Sequence, residues 1–185
     1  MQRCEWPRDD EDMIEYHDNE WGLPLHNDKK LFEFLVLDAF QAGLSWKTIL
    51  KRRKKFEKAF HSFDAERISK YTEKDFKRLM NDAGIIRNRL KILGTIENAK
   101  RFLEIQKEFG SFDKFIWKFV NHKPIKNNFK SIKQLPAKTE VSDAMSLELK
   151  KRGFKFVGST ICYAFMQASG MVNDHTTKCF RYEEV

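Results

Sequence analysis

Hydrophobic residues recur at helical spacing along most of the chain. The clearest stretch begins at a capping Asn27 or Asp28 and continues with apolar side chains three or four positions apart, such as Leu31, Leu35 and Val36. Similar stripes occupy residues 48–63, 64–71, 72–84 and 90–110. Short turns rich in Ser, Asp, Thr or Gly separate them, which favours compact antiparallel helix connections. The pattern predicts an all-α protein.

Two later segments complete the predicted architecture. Residues 120–144 form the one long polar stretch, which is typical of a basic surface loop. Residues 157–175 are apolar and helical, and Gly170 is placed to end that helix. No internal repeat or low-complexity tract divides the chain. We therefore expect a single compact domain over residues 1–185.

Composition adds an expectation about partners. The 185 residues include 41% hydrophobic residues and 17 phenylalanines, enough for a real core, but the formal charge is +8. An excess of positive charge favours an anionic partner such as nucleic acid or a membrane surface. No apolar run approaches the roughly 18 residues of a spanning helix, and the first ten residues lack a signal-peptide core. We expect a cytoplasmic protein without a membrane partner, in which the three cysteines stay reduced.

Two stretches concentrate basic residues. Residues 47–58 carry seven lysines and arginines on one predicted helix, which could be a solvated face or a nucleic-acid surface. In residues 81–92, a turn at Gly84 joins two amphipathic helices and leads directly into Arg87, Arg89 and Lys91. A hairpin of this kind can hold a phosphate with backbone N–H groups and nearby cations. It could equally be an ordinary helical hairpin, and the spacing alone leaves both readings open.

Aromatic residues cluster near the N-terminus. Trp6, Tyr16, Trp21 and Trp46 all lie in the first quarter of the chain, several of them in polar, turn-like segments. Packing in the core is the common fate of tryptophan, but an exposed ring in a turn more often contacts a ligand. Asp38 interrupts an apolar run, so its carboxylate must point outward or find partners. An acid beside several aromatic faces suits a nucleobase.

The C-terminal sequence NDHTTKC contains a histidine and a cysteine four positions apart, His175 and Cys179. On a helix this spacing merely brings two side chains onto one face. A metal site would need further ligands elsewhere in the chain, and the spacing of the remaining cysteines and histidines does not match a standard zinc knuckle. Spacing alone therefore leaves the pair unexplained.

The motifs taken together resemble one family. The segments RCEW, YHDNEWG, QAGLSW, AGIIRNRLKI, WKFVNHKP, GFKFVGSTICY and VNDH occur in order between residues 3 and 179 and are similar to those of the 3-methyladenine DNA glycosylase I family. The resemblance implies a helix-hairpin-helix fold, with that motif at about residues 73–108. It implies an enzyme that hydrolyses the N-glycosidic bond of 3-methyladenine in alkylated DNA after base flipping. It also implies one structural zinc ion that joins residues 1–21 to residues 171–185.

The resemblance also assigns roles to individual residues. Cys4, His17, His175 and Cys179 would bind the zinc, a donor set typical of a closed structural site. Tyr16 and Trp46 would stack on the flipped base, with Trp6 and Trp21 beside the pocket. Asp38 would be the catalytic residue and would accept hydrogen bonds from the base.

DNA contacts follow from the same resemblance. Two groups of residues would meet double-stranded DNA: the loop that fills the gap left by the flipped base, and the hairpin that holds the backbone. They are Gln41, Gly43 and Leu44 in the loop, and Gly84, Ile85, Ile86, Arg87 and Arg89 in the hairpin. Free 3-methyladenine would be the released product, and a monomer is expected.

Two positions depart from the pattern of the family. Position 38 is aspartate where glutamate is usual, and Met13 replaces a tyrosine that commonly stands beside the pocket. Either change could loosen the fit to the base. A non-catalytic, zinc-containing protein that binds DNA lesions or structures on the same fold is therefore an alternative. A zinc-stabilised RNA-binding module is a third, but the chain lacks the aromatic sequence patterns of RNA-binding motifs.

Overall fold

The computed structural model describes all 185 residues as one helical body with a minor strand pair. None of the helices combines the length and hydrophobicity needed to cross a bilayer. The ten α-helices are α1 (Glu11–Asn19), α2 (Asp28–Gln41), α3 (Trp46–Leu50), α4 (Arg53–Ala59), α5 (Ala65–Ser69), α6 (Glu73–Asn81), α7 (Arg89–Phe109), α8 (Phe112–Trp117), α9 (Glu140–Lys151) and α10 (Ser159–Ala168).

Helix α2 is the centre of the fold. The side chain of Asn27 caps its N-terminus by accepting from the amide of Lys30, and every residue from Leu31 to Phe40 is buried. Helices α3, α7, α8 and α10 all contact it. Because α2 is covered on all sides, the two acids within this stretch, Glu33 and Asp38, must be buried too.

The structure is mostly helical, as predicted, but it also contains two short strands. Strands β1 (Ile125–Lys126) and β2 (Val172–Asn173) pair in parallel, with Ile125 opposite Val172. Two-residue strands carry too few positions to show a sequence period. They hold the long polar segment against the C-terminal segment, and the amide of Phe180 donates to the carbonyl of Gln2, which brings the two chain ends together.

A short turn joins α6 to α7 where the sequence predicts the helix-hairpin-helix motif. Thr72 and Asp75 form a capping box at the start of α6, and Asn88 caps α7. We call residues 82–88 the hairpin turn. By contrast, the predicted basic helix is two short helices, α3 and α4, separated at Lys51 and Arg52.

Candidate active site

A cavity of about 320 Å³ opens where α1, α2, α3 and α10 meet. Its volume lies at the lower end of the range for small-molecule sites, roughly 300–1,000 Å³. Nine of the twelve lining residues are hydrophobic. The lining consists of Trp6, Met13, Tyr16, Trp21, Asp38, Gln41, Trp46, Ile132, Leu135, Ala164, Gln167 and Ala168.

Two helices place the rings of Tyr16 and Trp46. Asp10 caps α1, which presents Tyr16, and Ser45 caps α3, whose first residue is Trp46. The centroids of Tyr16 and Trp46 are 5.1 Å apart. Two stacking contacts of about 3.5 Å each would need about 7 Å between rings, so these two rings form one side of the cavity and do not enclose a base between them.

Trp6 completes the ring cluster from the N-terminal segment. Its ring meets those of Trp21 at 5.2 Å and Tyr16 at 6.2 Å, both edge-on. Edge-to-face packing of this kind fixes the rings without filling the cavity. All four aromatics that were predicted near a base therefore line a single cavity, together with Asp38.

Unpaired polar atoms concentrate at this cavity. Four buried side-chain nitrogen or oxygen atoms have no hydrogen-bond partner, and three belong to lining residues: Nε1 of Trp6, Nε1 of Trp46 and Oδ2 of Asp38. Leaving a buried polar group unpaired costs about 1–3 kcal/mol. The fourth, Nε of Arg181, lies outside the cavity. A cavity with unpaired polar atoms suits a ligand whose own donors and acceptors can pair with them.

The protonation of Asp38 follows from its surroundings. The residue is 2% exposed and forms no hydrogen bond or ion pair with another side chain. Burial raises the pKa of Asp38 well above its ordinary value, because the charged form loses its hydration. Burial likewise raises the pKa of Tyr16, and the nearby Asp38 adds to that rise. The free protein therefore favours a neutral cavity.

Several lining residues were not predicted from the sequence. Ile132 and Leu135 come from the stretch predicted to be a basic surface loop, and a 3-10 turn over Ile132–Gln134 brings them to the cavity. Gln167 lies on α10, and its Nε2 donates to the buried carboxylate of Asp174 at 2.7 Å. An apolar pair within a run of lysines was the available signal for the first two.

The four predicted metal ligands lie together. One ligand atom from each of Cys4, His17, His175 and Cys179 falls within 4.8 Å of the others, and all four residues are buried. In His17 and His175, the ring nitrogen that does not face the sulfurs has a partner elsewhere in the protein. Nδ1 of His17 is 2.7 Å from Asp18, and Nε2 of His175 is 3.0 Å from the carbonyl oxygen of Trp21.

These contacts suit a metal site of two thiolates and two imidazoles. Partners on these ring nitrogens fix the tautomers, so that Nε2 of His17 and Nδ1 of His175 turn toward the sulfurs. Without a cation, burial raises the pKa of Cys4 to about 12 and lowers that of His175 to about 4. A divalent cation would reverse the effect on the thiols, because it stabilises the thiolate.

The four predicted metal ligands lie next to the cavity. Tyr16 and His17 are neighbours on α1, and the carbonyl of Trp21 contacts His175. Gly22 has φ +82°, and a Cβ there would lie 2.9 Å from Nε2 of His175. A glycine is therefore needed for the close approach between the cavity segment and the C-terminal ligand.

The hairpin turn differs in part from the prediction. The amide of Gly84 donates to Asp82 at 2.7 Å, and that of Ile85 donates to the carbonyl of Asp82. The turn itself uses these two amides in this conformation, and their contact with a phosphate stays a prediction. The amides of Ile86 and Arg87 have no protein acceptor and are the available ones. The side chain of Ile85 is buried in the core.

Cations near the hairpin fall into two groups. Arg87 and Arg89 are exposed, and the guanidinium of Arg89 lies 5.1 Å from the ring centre of Phe76. In the predicted basic helix, Arg53 is bound internally to Glu20 and Glu33. Part of that basic run therefore stabilises the fold and does not face a partner.

The segment between α2 and α3, residues 42–45, forms an exposed turn that we call the pocket loop. Gln41 lines the cavity, Gly43 has φ +80°, and Leu44 is 41% exposed. An apolar side chain at the tip of a glycine-containing turn beside a cavity matches the predicted DNA-inserting loop in placement.

Comparison with known proteins supports one family. A family model described as methyladenine glycosylase matches residues 6–182. The chain is 50% identical over 182 residues to the DNA-3-methyladenine glycosylase 1 of Escherichia coli K12, covering 98% of this chain and 97% of that protein.

Solved structures agree with this result. A crystal structure of 3-methyladenine DNA glycosylase I superposes with a TM-score of 0.94 at 50% identity, covering 97% of this chain and 98% of that chain. A tyrosine-to-phenylalanine variant of a 3-methyladenine DNA glycosylase I, in complex with 3-methyladenine, also has a TM-score of 0.94, at 34% identity and 97% coverage of both chains.

Proposed function

The chain belongs to the methyladenine glycosylase family, and from that premise we propose how its cavity and hairpin act on DNA. The protein is a DNA base-excision repair glycosylase, a hydrolase that cleaves the N-glycosidic bond of 3-methyladenine in alkylated DNA. The roles of the individual residues, the flipping of the base, the zinc ion and the mode of DNA binding are our proposals.

The placement of the reaction rests on one observation, the three unpaired polar atoms at a mainly hydrophobic cavity. Methylation at N3 gives the attached adenine a positive charge, which weakens its bond to the sugar. The leaving base therefore needs no protonation, and the protein must mainly select and hold it. A flat, cationic, hydrogen-bonding ring suits a cavity with aromatic faces and a buried acid.

We propose that the nucleotide flips out of the duplex and that the base enters between Trp6 and Trp46, with the ring of Tyr16, which contacts both tryptophans, beside it. No ring contact joins Trp6 to Trp46, although both line the cavity. Extruding a nucleotide costs a few kcal/mol and least for a damaged base. Water then attacks C1′ of the sugar, the bonding electrons leave with the base as neutral 3-methyladenine, and a water proton passes to solvent.

Asp38 responds to the charge of the base. In the free protein the raised pKa of Asp38 favours the neutral carboxyl group over a buried charge. A cationic base beside it favours the carboxylate, and the proton then leaves to solvent. The ionised group accepts hydrogen bonds from the base, and their strength is increased by the excluded water. A neutral adenine gains no such pairing, which is a basis for discrimination.

DNA meets the protein at two places in this proposal. Leu44 occupies the gap that the flipped nucleotide leaves, with Gln41 and Gly43 shaping the pocket loop. The free amides of Ile86 and Arg87 hold a backbone phosphate, and the exposed Arg87 and Arg89 add affinity through released counterions. Double-stranded DNA is the expected substrate, and the protein is expected to act as a monomer.

We propose that zinc occupies the cluster of Cys4, His17, His175 and Cys179 in a structural role. The donors form a closed set, which leaves no position for water or substrate. The site joins ligands 171 residues apart, from Cys4 to His175. Joining distant parts of the chain restricts the unfolded state and so stabilises the fold.

Base release from methylated duplex DNA tests the proposal as a whole. The protein is incubated with the DNA, and the released bases are identified by chromatography. Release of 3-methyladenine, with competition by free 3-methyladenine that also changes tryptophan fluorescence, is the expected result. Binding to damaged duplex without release would instead support the alternative of a non-catalytic lesion-binding protein.

A further inference from the structure

Lys91 is a buried lysine without an acidic partner. The residue is 7% exposed and lies in the first turn of α7, directly after the hairpin turn. Its Nζ donates to the carbonyl oxygens of Phe40 at 2.8 Å and Ala42 at 2.6 Å. Burying an ammonium group is costly unless it is paired, so these two carbonyls must compensate it. They can do so because carbonyls at the C-terminus of a helix carry partial negative charge.

The two carbonyls belong to the part of α2 that reaches the cavity. Phe40 and Ala42 flank Gln41, which lines the cavity, and Asp38 lies two residues before Phe40. Ala42 leaves the helical conformation, with φ −47° and ψ 116°, and starts the pocket loop. Lys91 therefore fixes the junction between the helix that carries the acid and the loop that carries Leu44.

A second cation makes the reverse connection. Arg52 follows α3, and its Nη1 donates to the carbonyl oxygens of Ala83 at 3.0 Å and Gly84 at 3.2 Å in the hairpin turn. It too has no acidic partner. Lys91, next to the hairpin turn, thus binds the carbonyls at the end of α2. Arg52, which follows α3, binds the carbonyls of the hairpin turn. Two such contacts in opposite directions resist sliding of one part past the other.

We propose that Lys91 and Arg52 are positioning residues that hold the hairpin in register with the pocket loop and Asp38. Neither contacts the base or the sugar. The inference rests on the proposed function, in which the hairpin holds a phosphate while the loop and cavity receive the flipped nucleotide. A displacement of about 1 Å can lower a rate by about 10²-fold, so the separation of these two DNA contacts must be fixed for excision.

The test separates base binding from excision in the full-length protein. Lys91→Met retains the length of the side chain and removes its charge and donors. We expect the affinity for free 3-methyladenine to change less than about twofold, while single-turnover excision from duplex DNA falls by about tenfold or more. The slope of duplex affinity against salt should stay the same, because no phosphate contact is lost. Arg52→Met should give the same pattern.

A matched control is Lys100→Met, an exposed lysine on the same helix, which should leave all three measurements unchanged. Three results would overturn the proposal: unchanged excision by Lys91→Met, a parallel loss of free-base affinity and excision, or a salt slope lowered by about one unit, which would mark a phosphate contact. If Lys91→Met does not fold, Lys91→Gln, which keeps one donor group, is judged by the same outcomes. A wrong DNA site would give a different result from a wrong positioning role. If the DNA site is wrong, Arg87→Ala with Arg89→Ala leaves the duplex affinity of an otherwise active protein unchanged.

Discussion

Replacing Asp38 by asparagine should slow excision and at the same time stabilise the free protein. Both effects have one cause, which is a buried carboxylate with no protein partner. The acid is useful only when a cationic base is present and is a cost when the cavity is empty. Asparagine keeps nearly the same shape but can never take a negative charge.

The loss of activity can be given a magnitude. A hydrogen bond to a charged group contributes about 1.5–3 kcal/mol, and each 1.4 kcal/mol is a factor of ten in rate. Single-turnover release of 3-methyladenine by Asp38→Asn should therefore fall roughly 10- to 150-fold. Affinity for undamaged duplex should stay nearly constant, because that affinity is assigned to the hairpin cations.

The gain in stability has a defined dependence on pH. The folded-state pKa of Asp38 is raised by burial, so its favourable contribution is complete below the unfolded pKa of about 4 and is lost as the pH rises through the folded value. Asp38→Asn should therefore become increasingly more stable than the parent as the pH rises above about 4. A difference of about 1 kcal/mol corresponds to a Tm rise of about 2–4 °C for a chain of this size.

Asp28 on the same helix provides a matched control. Its carboxylate accepts from Nε2 of Gln106 and from the amides of Phe112 and Asp113, at 2.6–2.8 Å. Asp28→Asn should lower the Tm and leave excision by the folded protein unchanged. The reasoning about Asp38 would be refuted if Asp38→Asn excised as fast as the parent, or if its Tm at neutral pH were lower.

Three further predictions address the other proposed sites. Elemental analysis should find one zinc per chain, and Cys179→Ser should lose both the metal and thermal stability while Cys162→Ser keeps the metal; a metal-free parent of equal stability would contradict this. Arg87→Ala with Arg89→Ala should weaken binding to damaged and undamaged duplex alike and lower the salt slope by up to about two units, and an unchanged slope would place the DNA surface elsewhere. Leu44→Ala should lower excision from duplex DNA without changing the affinity for free 3-methyladenine. The control Leu147→Ala, at the exposed leucine of α9, should change neither measurement.

The sequence pattern predicted those parts of the fold that local periodicity controls. The boundaries of α2 and the pairing of α6 with α7 could be predicted because capping residues and apolar stripes are local signals. The break between α3 and α4 could not. Hydrogen bonds from Arg52 to carbonyls more than thirty residues away stabilise this break in part. The run of basic residues around Arg52 does not indicate such a contact.

The lining of the cavity likewise combines residues that the local sequence indicates with residues that only the tertiary structure brings there. Tyr16 and Trp46 stand in polar stretches of the sequence, so their residue type and position gave a signal. Ile132 and Leu135 gave little, because they are two apolar residues in a stretch that is otherwise polar and basic. They reach the cavity only through a 3-10 turn in a segment that the β1 and β2 pair helps to hold, which is a tertiary effect.

The sequence alone does not distinguish the two buried acids of α2, Glu33 and Asp38, whereas their partners in the structure do. Glu33 and Asp38 both interrupt the same apolar run, and both are at least 94% buried. Glu33 binds Nζ of Lys30 at 2.7 Å and Nε of Arg53 at 2.6 Å, so its charge is compensated within the fold. Asp38 has neither partner and faces the aromatic cavity. Since an uncompensated buried carboxyl is a cost to folding, we infer that Asp38 pairs with a ligand and not with the protein.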